Sequence, residues 1–305
     1  MSGEPLSGVF APVLTPFDKS LAPDHRRFVA FCRWLLEQGA GLAVFGTNSE
    51  ANSLSLAERL ELLGVLIDAG LPPSRMMPGT GSCALPDAVV LCSAAAKAKT
   101  AAVLMLPPFY YKPLTDEALF AFYAEVIERV GDADLRVCLY HIPQVSGVPI
   151  TEGLIALLRK RYPGTFVGLK DSGGDFAYTK SLLARFEGFR VFCGSERFLL
   201  QTLSHGGAGC ISAGANVNPA AIVAAASSGG DSSRQQSLNT IRDILEAYPM
   251  IAALKYTASH YGNCGDFRTL RPPLLPLDER RGTELIARLE AAGFAMPGLA
   301  RMLAS

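Results

Sequence analysis

Short apolar runs of strand length alternate with longer amphipathic segments, and the alternation repeats eight times before residue 227. The apolar runs are 8–14, 41–45, 75–80, 101–106, 136–140, 165–170, 190–194 and 209–213. They are apolar throughout rather than at every second position, as parallel strands covered on both faces require. The intervening segments 24–38, 55–69, 85–98, 115–130, 151–161, 178–186, 197–204 and 219–226 read as helices. Ser55 with Glu58 three residues later forms a capping-box signature, and Thr115 is a fitting N-cap. Eight strand–helix units predict an α/β fold, a closed (β/α)8 TIM barrel, with an open doubly wound sheet as the main competitor. That competitor weakens because the first apolar run is followed by TPFDKS rather than by GxGxxG.

The polar, Gly/Ser-rich stretch SSGGDSSRQQS (227–237) reads as a boundary. Helical patterns near 233–247, 250–260 and 282–293 follow it, so the expected arrangement is a barrel domain over 1–226 and a C-terminal helical extension over 227–305. Composition narrows the function. The 28 basic residues equal the 28 acidic ones, and no basic run could track a phosphate backbone, so no nucleic-acid partner is expected. No apolar stretch approaches the ~18 residues of a membrane span, and the N-terminus lacks a signal-peptide pattern. The seven cysteines are scattered without CxxC and read as buried reduced thiols. A cytoplasmic location is the expectation. His25, His141, His205 and His260 show no ligand spacing, so no metal site and no cofactor are expected.

Barrels of this kind place chemistry at the C-terminal strand ends. There the chain offers Gly46-Thr47-Asn48-Ser49-Glu50, Pro107-Pro108-Phe109-Tyr110-Tyr111, Tyr140-His141-Ile142-Pro143, Lys170-Asp171-Ser172 and Gly194-Ser195-Glu196. Lys170 ends the apolar run TFVGL; a desolvated lysine loses its proton more easily, and a neutral amine can attack a ketone to form an imine. The other reading of Lys170 is a strand-end lysine reaching solvent or pairing with Asp171. Tyr140 ends the neighbouring strand, where a phenol could shuttle protons as a carbinolamine forms and dehydrates; taken alone it could equally be a core aromatic. Gly46, Thr47 and Asn48 have the composition of an anion site, or of an ordinary turn leading to the Ser55 cap. Ser172 joins the candidate substrate contacts. Tyr110, in an aromatic loop, suits an interface as well as a site.

These ordered segments resemble the N-acetylneuraminate lyase and dihydrodipicolinate synthase superfamily of class I aldolases. The resemblance rests on GVFAPVLTPF, GTNSE, PGTG, PPFYYKP, YHIP followed by SG, GLKDSGGD and GSE before GAGCIS, from about Gly8 to Pro219. It implies a barrel with a C-terminal helical domain, a homo-oligomer built as a dimer of dimers, and pyruvate or another small 2-keto acid as ligand. It also implies Lys170 as the Schiff-base lysine, Tyr140 as the catalytic tyrosine, and Thr47 and Asn48 as holders of the keto-acid carboxylate. Tyr110 falls on a relay tyrosine associated with a neighbouring subunit, while Gly194 and Ile211 would line the pocket through backbone. The departures are Asn48 and Ser49 in GTNSE, and Val145 where dihydrodipicolinate synthases carry a carboxylate-binding arginine. The expected activity is therefore a pyruvate-dependent aldolase, a lyase acting on a 4-hydroxy-2-oxo acid and nearest in motifs to 4-hydroxy-2-oxoglutarate aldolases. A dihydrodipicolinate synthase or keto-acid dehydratase using the same imine is the alternative, and a non-catalytic keto-acid binder the alternative of another class.

Overall fold

The computed structural model describes residues 6–304. Seven parallel strands, β1 (Gly8–Ala11), β2 (Gly41–Leu42), β3 (Val103–Met105), β4 (Val137–His141), β5 (Phe166–Asp171), β6 (Arg190–Cys193) and β7 (Gly209–Ile211), pair in the order β2-β1-β7-β6-β5-β4-β3. The two ends of that order are joined by the 76–80 segment. It bridges Met76 to Leu42 on one side and Gly79 to Leu104 on the other, both parallel. Met77 N–H donates to Leu42 O at 2.8 Å, Gly79 N–H to Val44 O at 2.7 Å, and Leu104 N–H to Pro78 O at 2.9 Å. The ring of eight is closed, which settles the choice between barrel and open sheet. A regular strand over 75–80 was expected, and this is corrected: Pro78 has no N–H to give the ladder. Gly79 passes so close to the neighbouring chain that a Cβ would sit 2.1 Å from Phe45 O.

Side chains partition by alternation, as the two-residue period of a strand demands. Phe10, Ala43, Met77, Leu104, Cys138, Tyr140, Phe192 and Ile211 fill the barrel interior as one cluster. Val103, Val137, Leu139, Leu169 and Val191 face outward and pack under the surrounding helices. Strand β5 faces the interior with Gly168 and Lys170, the partners of Cys138 and Tyr140 on β4. A lysine thus replaces the apolar side chain that the other positions supply.

The helices begin where the sequence signals them. Ser55 and Glu58 form a complete capping box on Leu56–Asp68, and Thr115 caps Asp116–Val130. The 227–237 stretch is not a linker throughout, because Asp231 caps a helix that runs Ser232–Glu246. Helices Met250–Tyr261, Glu279–Ala291 and Leu299–Ala304 follow, the last without counterpart in the sequence pattern. Leu238, Ile241, Leu245, Leu254, Leu285 and Leu299 lie in one core cluster with Val9, Val13 and Phe28 of the barrel. The seven cysteines are free; Cys83 and Cys264 are partly exposed, which corrects the expectation that all are buried. Among the described residues no helix is long and apolar enough to cross a membrane.

Candidate active site

The C-terminal strand ends open into a cavity of about 470 Å³ lined by Thr47, Asn48, Tyr140, Lys170, Ser172 and Gly194, among others. Register builds its centre. Tyr140 and Lys170 are direct partners on β4 and β5, so their side chains rise on the same inner face. Lys170 is 2% exposed and Tyr140 4%. The Lys170 Nζ lies 4.2 Å from the centroid of the Tyr140 ring. The Tyr140 hydroxyl in turn shares a hydrogen bond with Thr47 Oγ1 at 3.2 Å. Amine, phenol and threonine hydroxyl form a chain from the barrel wall to the turn after β2.

Asp171 does not neutralise Lys170. Pointing to the opposite face of β5, its carboxylate accepts Thr179 Oγ1 at 2.6 Å and Gly173 N–H at 2.8 Å. No carboxylate lies within ion-pair distance of Lys170 among the described residues. Beside Asp171, burial pulls the His141 pKa below its ordinary value against the raising influence of that carboxylate. His141 Nδ1 accepts the Ile150 N–H at 3.0 Å, which leaves its Nε2 to carry the proton of the neutral ring. His141 therefore braces the loop after β4 rather than facing the cavity.

The 46–49 turn is bent back on itself. Phe45 and Glu50, which bracket it, have positive φ of 62° and 57°, a conformation that costs a non-glycine residue of order 1–3 kcal/mol and persists only when its surroundings enforce it. Ser49 enforces part of it: its Oγ accepts Gly46 N–H at 3.1 Å, and its carbonyl accepts Thr15 Oγ1 at 2.8 Å. Ser49 N–H returns to Gly46 O and Glu50 N–H to Thr47 O. The N–H groups of Thr47 and Asn48 have no acceptor among the described residues, so two successive donors are free beside the cavity. Such a pair makes a small anion-binding concavity.

Glu50 is held from the other side of the molecule. Its carboxylate forms a fully buried ion pair with Lys255, from a helix whose residues 252–259 are all buried. Lys255 also donates to Thr269 O at 2.7 Å and lies 4.4 Å from the Phe17 ring centroid. Burial draws its pKa down to about 8, opposed by Glu50. Arg271 adds a bond from its N–H to Glu50 Oε2 at 3.2 Å and a bidentate clasp on Glu58.

The outer cavity has a polar rim and an apolar wall. Arg242 reaches Glu196 at 3.0 Å and Glu246 at 2.7 Å; Arg197 reaches Glu246 at 2.7 Å and also Asp243. Burial alone would lower the Arg242 pKa, but Glu196 and Glu246 outweigh it and hold the guanidinium charged. The wall is Ile142, Val145, Phe176, Phe198 and Met250.

Of the residues singled out in the sequence, six line this cavity and three do not. Ile211 is one layer down in the barrel floor. Gly46 lies beneath the turn on an adjoining cleft. Tyr110 is 73% exposed, edge-on to Tyr111, and outside the cavity of this chain. Sequence reasoning missed Lys255, although a lysine inside the apolar helical run IAALKYTA is itself a sign of a paired buried charge. It also missed Arg197, Arg242 and Glu246, which carry no local signal because they meet only through the tertiary fold.

A family model described as the dihydrodipicolinate synthetase family matches residues 5–292. An uncharacterised DapA-like lyase from Chloroflexus aurantiacus is 35% identical over 291 residues, covering 93% of this chain and 95% of that protein. The 4-hydroxy-tetrahydrodipicolinate synthase of Rhizobium meliloti is 30% identical, covering 94% and 98%. Among solved structures, dihydrodipicolinate synthase from Agrobacterium tumefaciens superposes with a TM-score of 0.88 at 29% identity, covering 93% of this chain and 99% of that one. The prophage protein YagE of E. coli K12, solved in complex with pyruvate, superposes with a TM-score of 0.85 at 25% identity, covering 95% and 99%. A match of this length, on a closed barrel with a buried lysine at its mouth, makes the chain a member of the dihydrodipicolinate synthetase family and a lyase.

Proposed function

We propose that this protein is a pyruvate-dependent aldolase that makes or breaks the C3–C4 bond of a 4-hydroxy-2-oxo acid through an imine on Lys170. The observation that carries this reading is the buried, unpaired Lys170 amine over the Tyr140 ring, with the Tyr140 hydroxyl bonded to Thr47. No carboxylate pairs with the amine, and as the free base it is a nucleophile toward a ketone. Lys170 Nζ attacks C2 of the keto acid; the C2 oxygen is protonated and leaves as water. Tyr140 and Thr47 pass the protons, a geometry suited to general acid–base work. The free N–H groups of Thr47 and Asn48 receive the carboxylate and orient C3 for reaction. In the iminium, the electron pair of the breaking C3–C4 bond becomes the C2–C3 double bond of an enamine as the C2–N π pair moves to nitrogen, and the 4-hydroxyl gives up its proton as the aldehyde departs; C3 then takes a proton and water adds to C2, freeing pyruvate and the Lys170 amine. Ser172 and Gly194 shape the wall beside the amine.

The complex of YagE with pyruvate supports pyruvate as the keto acid. Synthesis of a dihydrodipicolinate from the same imine is less well served here. Val145 stands where the resemblance places a carboxylate-binding arginine, and a missing charge-assisted bond costs about 1.5–3 kcal/mol. Coupled detection of pyruvate released from a panel of 4-hydroxy-2-oxo acids tests the proposal. Wild-type protein should release it and Lys170→Ala should not. Equal release by both proteins would refute the imine route, and loss of water without aldehyde release would move the assignment to a dehydratase.

A further inference from the structure

The cavity extends well beyond the space a three-carbon keto acid occupies, and its outer half has a definite chemical character. Val145 at the mouth is 64% exposed. Ile142, Phe176, Phe198 and Met250 continue the same apolar wall, with the Phe176 and Phe198 rings stacked, their centroids 6.1 Å apart and their planes inclined by 20°. Two arginines reach the cavity, and each is already paired with two carboxylates: Arg242 with Glu196 and Glu246, and Arg197 with Glu246 and Asp243. Two cations face three carboxylates there, and Asp175 adds another on the lining. The cluster is also locked in place: a Cβ on Gly214 would meet Glu196 Oε1 at 1.9 Å, and Gln235 holds the Glu196 carbonyl at 2.8 Å. An anionic aldehyde entering this half would meet an excess of carboxylates, and the two cations there already have carboxylate partners.

We infer that the second substrate is an uncharged aldehyde with an apolar tail, aryl or alkyl, seated against Val145, Ile142, Phe176, Phe198 and Met250. This assignment rests on the aldolase reading. In the condensing direction, C3 of the enamine formed from pyruvate on Lys170 attacks the aldehyde carbon and the C3–C4 bond forms. The carbonyl π pair moves to oxygen, which takes a proton through Tyr140. Water then adds to C2 of the iminium, frees the Lys170 amine and releases a 4-hydroxy-2-oxo acid whose C4 carries the apolar group. An apolar tail gains by leaving water against such a wall, whereas a carboxylate tail loses hydration without gaining a charge partner.

The test is a competition panel with pyruvate and five aldehydes: benzaldehyde, 2-methylpropanal, glyceraldehyde, glyoxylate and succinate semialdehyde. Wild-type protein should use the first two with kcat/KM at least about tenfold above the two anionic aldehydes, the discrimination that one lost charge-assisted contact supplies. Val145→Arg should shift the ratio of succinate semialdehyde to benzaldehyde upward by about tenfold or more. Preference of the wild type for an anionic or polyhydroxylated aldehyde overturns the assignment, as does an unchanged ratio in V145R. Should V145R fail to fold, the wild-type panel decides alone. Borohydride trapping of pyruvate separates the two levels. Trapping together with a preference for glyoxylate removes only the acceptor assignment, while absence of trapping removes the aldolase reading beneath it.

Discussion

At the residue scale the site depends on which face of a strand each side chain occupies. Lys170 and Asp171 are neighbours in sequence yet diverge at the end of β5: Lys170 sits over the Tyr140 ring, while the Asp171 carboxylate is taken up by Thr179 and Gly173. That separation keeps a carboxylate away from the amine that the proposed imine route uses as its nucleophile. Tyr140→Phe should therefore lower kcat by about 10²–10⁴-fold, the usual worth of a positioned acid–base group, with a smaller change in KM. Steady-state kinetics on the best 4-hydroxy-2-oxo acid checks this; a kcat within threefold of wild type would remove Tyr140 from the proton path. The placement of Lys170 and Tyr140 side by side at the cavity was legible in the sequence because both end apolar runs. Tyr110 was harder to place: an aromatic loop gives no direction, and the structure puts its ring at the surface.

At the scale of elements, the strand ends are packed so tightly that backbone itself shapes the site. A Cβ on Gly194 would lie 2.0 Å from Ser172 Oγ and 2.8 Å from Asp171 O, so the β5 and β6 ends could not keep their spacing around a side chain. Gly194→Ala should lower both the melting temperature and kcat/KM. Gly64 offers the contrast, since it lies within helix Leu56–Asp68 with nothing within 4 Å of a built Cβ. Gly64→Ala should stabilise the protein by about 0.5–1 kcal/mol through helix propensity alone, read as a rise in the denaturation midpoint without loss of activity. The helices were legible because caps and periodicity agree, as at Ser55 and Thr115. The 76–80 segment was legible only as one of eight repeats. Its irregular pairing depends on Pro78 and on a close approach to Phe45 that a one-dimensional pattern does not encode.

At the scale of the whole molecule, the C-terminal helices complete the site from outside the barrel. The Glu50–Lys255 pair joins helix Met250–Tyr261 to the turn that presents Thr47 and Asn48. Lys255→Met leaves the buried Glu50 carboxylate without its charge partner and should cost about 3–5 kcal/mol. The double change Glu50→Gln with Lys255→Met should recover a large part of it, and chemical denaturation of the four proteins in that cycle measures the coupling. This pair spans more than 200 residues of sequence, which is why the sequence displayed Glu50 in GTNSE without displaying what holds it. Arg271 clasps Glu58 across the same seam and holds its carboxyl at about 2 rather than the usual 4.5. The folded state thus favours the carboxylate more than the unfolded chain does. Its stabilising contribution is whole above about pH 4.5 and is lost as pH falls towards about 2. Glu58→Gln should flatten the acid-side fall of the melting temperature, as scanning calorimetry would record.

The central claim is that a keto acid becomes covalently joined to the nitrogen of Lys170, and peptide mapping by mass spectrometry after borohydride reduction in the presence of pyruvate tests it most directly. The account predicts one reduced pyruvate per chain, on the peptide containing Lys170, absent in Lys170→Ala. An unmodified Lys170 peptide, or a label carried by another lysine, would contradict it.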